Sequence, residues 1–317
     1  MAVSAVLFIA LIWAFVGIKL TPSDNSLPPE TSPSPEDTVA QLLEALKSSA
    51  PNSSPFPSAS PPAKKPGGPA AIQEERSAAG EIRSLRIETV DTQVVIETVK
   101  DAKPQALLEG KITVKEGEDW TDYYNFETDS SGGTFRVTVR PIEAKKQQMP
   151  SGRSTTLRIR LPETPLENLD VSTVSGTVKG PSLQAEHFSA ASVSGSIDLA
   201  GLKGKSHNLS NVSGKISVGS LSGDFGVESV SGSVQIAGTS WETSGSVNTV
   251  SGSVNLTADA KLPFAYELSS VSGSVNCGYE GASASSILML KQCSGSTGES
   301  KRSLTLTSIS GPLRVGP

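Results

Sequence analysis

Residues 227–256 read VESVSGSVQIAGTSWETSGSVNTVSGSVNL and hold two copies of one phrase, V-S-G-S-V, centred on Gly232 and Gly252. Outward from this pair, Ser-Gly recurs with its glycine at 176, 195, 214, 232, 252, 273, 295 and 311, at spacings of 16 to 22 residues. A period near twenty is the mark of stacked supersecondary units, because one short unit cannot bury its apolar face alone.

Aligned on the glycine, the copies form columns. Two residues after it stand Val178, Ile197, Ile216, Val234, Val254, Val275, Thr297 and Leu313; four after it come Leu199, Val218, Ile236, Leu256, Cys277 and Val315. Alternation with period two predicts one inward face of a strand. Five before the glycine are Val171, Ala190, Leu209, Val227, Val247, Leu268, Leu290 and Leu306. Seven before it are Leu169, Phe188, His207, Phe225, Gly245, Tyr266, Leu288 and Leu304, so a second strand is expected to face the same core.

The column two before the glycine (Val174, Val193, Val212, Val230, Val250, Val271, Cys293, Ile309) is also expected to point inward. The small polar residues beside it (Ser192, Ser229, Thr249, Ser270, Ser308) and Gln235, Asn255 and Asn276 after the corner are expected to face water. The corner glycines are expected to take positive φ where the chain turns sharply. A degenerate further copy precedes these, with Leu85, Ile87, Val90, Val94 and Ile96 in the columns and Asp91-Thr92 in place of Ser-Gly. Strand-like alternation also runs through IRSLRIETV, TQVVIETV, GTFRVTVRP and TTLRIRL. The reading is all-β: a parallel β-solenoid of about 19 residues per unit over 169–317 behind an N-terminal all-β part over 80–168.

What precedes residue 80 has a different composition. Residues 2–18 (AVSAVLFIALIWAFVGI) carry no charge and as a helix would span roughly 25 Å, enough for a short transmembrane anchor over 1–20. Neither a basic segment before it nor an A-x-A-like site after it marks a cleaved signal peptide, so an uncleaved anchor is expected. Twelve of the 21 prolines lie between residues 21 and 79, which reads as a stalk. Within it, Ser34 and Asp37 at capping-box spacing and Val39, Leu42, Leu43 and Leu46 on one stripe predict a short amphipathic helix over 35–48.

The net charge of −5 argues against a nucleic-acid partner. Cys277 and Cys293 give neither a zinc site nor a disulfide framework: as inward thiols they replace Val or Leu, and a single bridge is the other option. A β-helix enzyme acting on polysaccharide would need acids and bases gathered on adjacent units. Asp170, Asp198, Asp224 and Asp259 lie at four different repeat phases, and Lys179 beside Asp198 reads as a surface pair. His207 occupies an apolar column near His187 and reads as a structural histidine, not a ligand. No catalytic, cofactor-binding or metal-binding residues and no cofactor are therefore assigned.

The V-S-G-S-V units, behind an all-β segment ending in the LP-x-x-x-L-x-x-L-x-V stretch from Leu161 to Val171, resemble the bacterial "putative adhesin" β-strand-repeat families of unknown function, related to toast-rack domains. The resemblance covers about 80–317 and implies an exported cell-envelope domain with no catalytic residues to carry over. The expected role is non-catalytic binding at the envelope, with a wall polymer or surface protein as partner and the membrane held by the N-terminal helix. The alternative is an external sensor or scaffold subunit of an envelope-stress membrane complex.

Overall fold

The computed structural model describes residues 67–317 apart from 101, 102, 260 and 288. The apolar segment 2–18 and the amphipathic stretch 35–48 lie outside the described residues. Strand dominates the described chain, with two short 3-10 helices at Trp120–Asp122 and Glu143–Gln148. Its first part comprises β1 (Gly68–Ser77), β2 (Ser84–Thr89), β3 (Gln93–Thr98), β4 (Gln105–Val114), β5 (Tyr124–Ser131), β6 (Thr134–Pro141) and β7 (Ser154–Leu161). The repeats follow as β8 (Leu166–Thr173), β9 (Val178–Ser192), β10 (Ile197–Asn211), β11 (Lys215–Val218), β12 (Leu221–Ser229), β13 (Ser233–Ser240), β14 (Ser244–Thr249) and β15 (Val254–Ala258). The chain closes with β16 (Ala265–Ser270), β17 (Val275–Cys277), β18 (Ser283–Ile287), β19 (Leu290–Ser296), β20 (Ser303–Ser308) and β21 (Leu313–Gly316).

The strands stack in two runs that share one core. Before the corners, β6, β2, β8, the end of β9, the end of β10, β12, β14, β20 and β16 pair in parallel in that order. After the corners, β7, β3, the start of β9, the start of β10, β11, β13, β15, β21 and β17 do the same. Register keeps the columns in line: Leu85, Leu169, Phe188, His207, Phe225, Gly245, Leu304 and Tyr266 lie on successive rungs. Antiparallel pairs close the ends, with β5 on β6, β1 on β4 and β4 on β7 at one end and β18 on β19 on β16 at the other.

The inward columns are as the alternation predicts for most copies. Val178, Ile197, Ile216, Val234, Val254 and Leu313 are buried, as are Val171, Ala190, Leu209, Val227, Val247, Leu306 and Leu268. Each buried Val, Leu or Ile among them contributes about 1.5 to 3 kcal/mol by leaving water. Val254→Asp, which would bury an unpaired carboxylate between Val234 and Leu313, is expected to cost several kcal/mol and to melt neighbouring rungs together. Exposed Asn255→Asp is expected to change stability by less than about 0.5 kcal/mol. Thermal unfolding of the two variants checks the assignment of faces.

The corner differs from expectation in two ways. The residues three before the glycine point inward, with Thr173, Ser192, Ser229, Thr249, Ser270 and Ser308 all buried. The valines two before it lie on the outer corner, partly exposed, reaching 41% at Val174 and 44% at Ile309. The cause is hydrogen bonding. Each buried hydroxyl accepts the N–H of its own corner glycine, at 3.0 Å in Thr173–Gly176, 2.9 Å in Ser192–Gly195, 3.1 Å in Ser229–Gly232 and 3.0 Å in Thr249–Gly252. The same bond is 2.9 Å in Ser270–Gly273 and 2.7 Å in Ser308–Gly311. In the odd copy, Asn211 instead donates from Nδ2 to the Gly195 carbonyl at 2.8 Å.

Nor do the corner glycines share a positive φ: among them only Gly214 has one, at 144°. Glycine is needed there for want of space. A Cβ on Gly195, Gly214, Gly232 or Gly252 would sit on the backbone carbonyl oxygen of the corner one rung earlier, Gly176, Gly195, Gly214 or Gly232 respectively. The column continues from Gly252 to Gly311 and then to Gly273, and at its start the carbonyl that faces Gly176 is that of Thr92. The degenerate copy is thus a rung of the stack, with β2 on β8 and β3 on β9.

Three further corrections concern order and ends. Ser294-Gly295 is not a corner: it lies within β19, where Gly295 stands opposite Tyr266 in an antiparallel pair. That copy has Gln292 where six of the others have a hydroxyl and one has Asn211, and its Leu290 is exposed. The last copy then enters out of sequence, with β20 between β14 and β16 and β21 between β15 and β17. At the other end β1 lies inside the segment assigned to the stalk over 21–79. It carries little apolar pattern, and it is held by pairing with β4 along its whole length and by buried Ile72.

Cys277 and Cys293 form a disulfide with Cα atoms 6.4 Å apart, within the usual range, so the simple replacement of Val or Leu is not their arrangement. The bridge ties β17 to β19 at the C-terminal end of the stack. Near this end buried Phe225, Trp241, Phe264 and Tyr266 and partly buried Tyr279 pack ring against ring, with centroids 4.9 to 5.9 Å apart. The Tyr279 hydroxyl donates to the Ala258 carbonyl at 3.1 Å, and burial pushes its pKa up to about 12.

Candidate functional site

The regular feature of the surface is the corner ridge. Ser175, Ser194, Ser213, Ser231, Ser251, Ser310 and Ser272 follow one another along the stack, all exposed, each next to a partly exposed Val or Ile. Five of these hydroxyls point along the stack: Ser213, Ser231, Ser251, Ser310 and Ser272 donate to the carbonyls of Val193, Val212, Val230, Val250 and Ile309 at 3.3 to 3.5 Å. With their protons so engaged, the oxygens offer lone pairs to solvent once per rung, at the strand spacing of about 4.8 Å. The ridge was not legible as a site, because its valines read as core.

A second row runs along the strands after the corner. Lys179, Asp198, Ser217, Gln235, Asn255, Arg314 and Asn276 stand in register. Gln235 and Asn255 are neighbours as the columns predict, but Arg314 separates Asn255 from Asn276, a consequence of the out-of-order rung.

The acids do not converge. Asp170 lies outward opposite Ser189, Asp198 stands opposite Lys179, and Asp259 accepts the Lys261 N–H at 2.9 Å. Asp224 holds a turn: one carboxylate oxygen accepts the N–H groups of Glu242, Thr243 and Ser244 at 3.0, 2.8 and 3.3 Å. Partial burial would raise its pKa, but these backbone donors outweigh it and hold the carboxyl below the usual range. Among the described residues no group of three or more His, Cys, Asp or Glu is placed to hold a metal ion.

Ion pairs collect instead on the N-terminal part. Arg158 bridges Glu97 and Glu109, and Arg153 meets Asp91 at 2.9 Å beside the Tyr124 hydroxyl. These side chains are partly exposed, so each pair adds little stability. A cleft of about 260 Å³ opens beside the β7–β8 connection over buried Leu161, Leu166 and Leu183, with Glu163 the only ionisable group in its lining.

His187 and His207 sit on adjacent rungs. His187 Nδ1 is 2.7 Å from the Ser206 hydroxyl, whereas buried His207 donates from Nε2 to the Ser222 carbonyl at 2.9 Å. His207 Nδ1 is buried with no partner, so a second proton there would be unsolvated. Burial lowers its pKa below the ordinary 6.5, more than the Ser222 carbonyl raises it. The unfolded chain takes up this proton near pH 6.5 while the fold resists it, so the contribution is complete above that pH. It is lost as pH falls from about 6.5 toward the lower folded pKa. Melting temperature is therefore expected to drop between pH 7.5 and 5.5, and His207→Phe, matching Phe188 and Phe225 in its column, is expected to flatten that drop. Equal slopes for both proteins would remove His207 from the account.

Comparison with known proteins gives a family but no characterised relative. The Toastrack DUF4097 family matches residues 82–315. No curated protein matches the chain. Solved structures similar to it include one described as a putative cell adhesion protein from Clostridium sporogenes, at 11% identity and a TM-score of 0.39, covering 78% of this chain and 99% of that one. Another is described as a putative adhesin from Bacteroides fragilis, at 12% identity and a TM-score of 0.43, covering 78% and 97%. A third is described as a putative lipid binding protein from Parabacteroides distasonis, at 13% identity and a TM-score of 0.34, covering 78% and 96%. Likeness at this level carries no argument about ligands.

Proposed function

The chain belongs to the Toastrack DUF4097 family, and from that premise we propose that it binds, without turnover, a repeating polymer or surface protein of the cell envelope. The observation that supports this reading is the corner ridge, where an exposed hydroxyl and a partly exposed aliphatic side chain recur on consecutive rungs. Such a strip presents the same small contact again and again. A linear partner with a similar repeat engages many weak sites at once, and its affinity grows by multivalency.

The location we propose is extracytoplasmic, with residues 1–20 as a membrane anchor and the Pro-rich segment as a spacer. The Cys277–Cys293 bridge supports it, since structural disulfides persist in oxidising compartments. Protease added to intact cells is expected to remove the β-repeat domain, and full protection would reverse the orientation.

The binding test is retention of the purified full chain on isolated cell envelopes, with released sugars and peptides measured in parallel. Ser213→Lys, Ser231→Lys and Ser251→Lys combined would put three charges on the ridge without touching the core. This variant is expected to lose retention and keep its melting temperature. The same treatment of Gln235, Asn255 and Asn276 tests the second row. Product release that scales with protein concentration would sink the non-catalytic reading. No retention at all would favour the sensor or scaffold role in a membrane complex.

A further inference from the structure

Among the described residues, β1, β5, β17 and β18 each pair on one side only. An unpaired strand edge is a template for another strand, and proteins usually block it with charge, proline or brevity. β1 carries Pro69, Glu74, Glu75 and Arg76; β5 carries Glu127 and Asp129; β17 has 3 residues. β18 has none of these guards. It reads Ser-Ala-Ser-Ser-Ile, with Ser283 to Ser286 all exposed.

A second observation falls at the same end. Of the large apolar side chains that are exposed, Val271, Met289, Leu290 and Ile309 gather there, with Met289 exposed by 73%. Ser270 stands opposite Lys291, which sets Val271 beside Leu290, and Ser272 donates its N–H to the Ile309 carbonyl at 2.8 Å. The hairpin that carries the open edge is held by the bridge from Cys293 to Cys277, so the edge is formed in advance and little ordering is lost on association.

We infer that the β18 edge is a strand-addition interface between two copies of this chain, with β18 pairing antiparallel to its counterpart about a two-fold axis. β18 is already antiparallel to β19, so a further antiparallel strand continues the meander with its hydrogen-bond pattern unbroken. The two-fold sets Ser285 opposite the partner's Ser285 and Ala284 opposite the partner's Ser286, small neutral residues that neither clash nor repel. A charged strand would gain no complementary charge along this edge, whereas a second copy is matched to it, and an isologous contact satisfies both open edges at once.

The test is sedimentation of the full chain in detergent over a range of concentrations, with Ser285→Lys and Ser285→Glu variants. The wild type is expected to shift from monomer to dimer as concentration rises. Each variant alone sets like charges across the axis and is expected to weaken the dimer by about tenfold or more, while a mixture of the two restores it. Restoration by mixing excludes misfolding as the cause. A wild type monomeric throughout, a dimer indifferent to either variant, or a mixture that stays monomeric would each overturn the inference, the last by refuting the two-fold register.

Discussion

Gly252→Ala is expected to unfold the C-terminal half of the stack although it adds one methyl group. The new Cβ would sit on the Gly232 carbonyl oxygen, and the carbonyl of Gly252 itself faces Gly311 on the next rung, so backbone confines the site from both sides. Neither neighbour can rotate away as a side chain can. Overpacking against fixed backbone belongs at the severe end of point mutations, about 3 kcal/mol or more. Gly226→Ala is the matched control, since its Cβ would meet only the far ends of Asn208 and Ser246 at 3.3 and 3.7 Å. It is expected to change stability by less than about 0.5 kcal/mol. Thermal unfolding by circular dichroism checks both, and equal melting temperatures would mean the corners have slack that the stack does not show.

Deleting residues 303–317 is expected to do more damage than removing one rung from the end of an ordinary solenoid. β20 and β21 lie inside the stack, so their loss would strip β14 and β15 of one neighbour and β16 and β17 of the rung that joins them to the rest. Leu304, Leu306, Leu313 and Val315 are all buried, and each leaves about 1.5 to 3 kcal/mol of transfer free energy behind. Limited proteolysis read by mass spectrometry is expected to find new cleavage throughout 244–302, with the rungs before it still resistant. Cleavage confined to the last few residues would show that the gap closes by itself.

The columns at five and seven before the glycine and at two and four after it were legible because Val, Leu, Ile and Phe alternate there with polar residues over enough copies to set the parity. That same parity already implied that the residue three before the glycine faces inward. Hydropathy obscured it: Ser192, Ser229 and Ser270 read as solvent-facing, and Val193, Val230 and Val271 read as core. What decides their sides is the N–H of the glycine three residues on, which the serine hydroxyl satisfies internally. At the false corner, Gly295, the same position holds Gln292, which makes no such cap, although Asn211 shows that a true corner also forms without a hydroxyl there.

Other features had no local signal. β1 pairs through its backbone and shows only Ile72 and two alanines to a reader of patterns. The insertion of β20 between β14 and β16 depends on which rung a strand joins, and the copies are too alike for sequence to choose. Asp224 lies at its own repeat phase, and its role in holding Glu242, Thr243 and Ser244 arises from a turn on the following rung. The ridge emerged as a candidate surface only once the valines were found outside the core.

The out-of-order rung also sets a schedule for biosynthesis. A solenoid that stacks in sequence order can condense progressively as the chain leaves the ribosome or a translocon. Here β14 can stack on β12, but β16 must wait for β20, which is made after the whole β16–β19 segment. Until the final residues arrive, β14 and β16 have no common neighbour, and the cysteines at 277 and 293 have already been synthesised. Oxidation that precedes arrival of the last strands would tether β17 to β19 beside an empty rung, so the order of the two events decides whether the nascent end matures or waits for a chaperone.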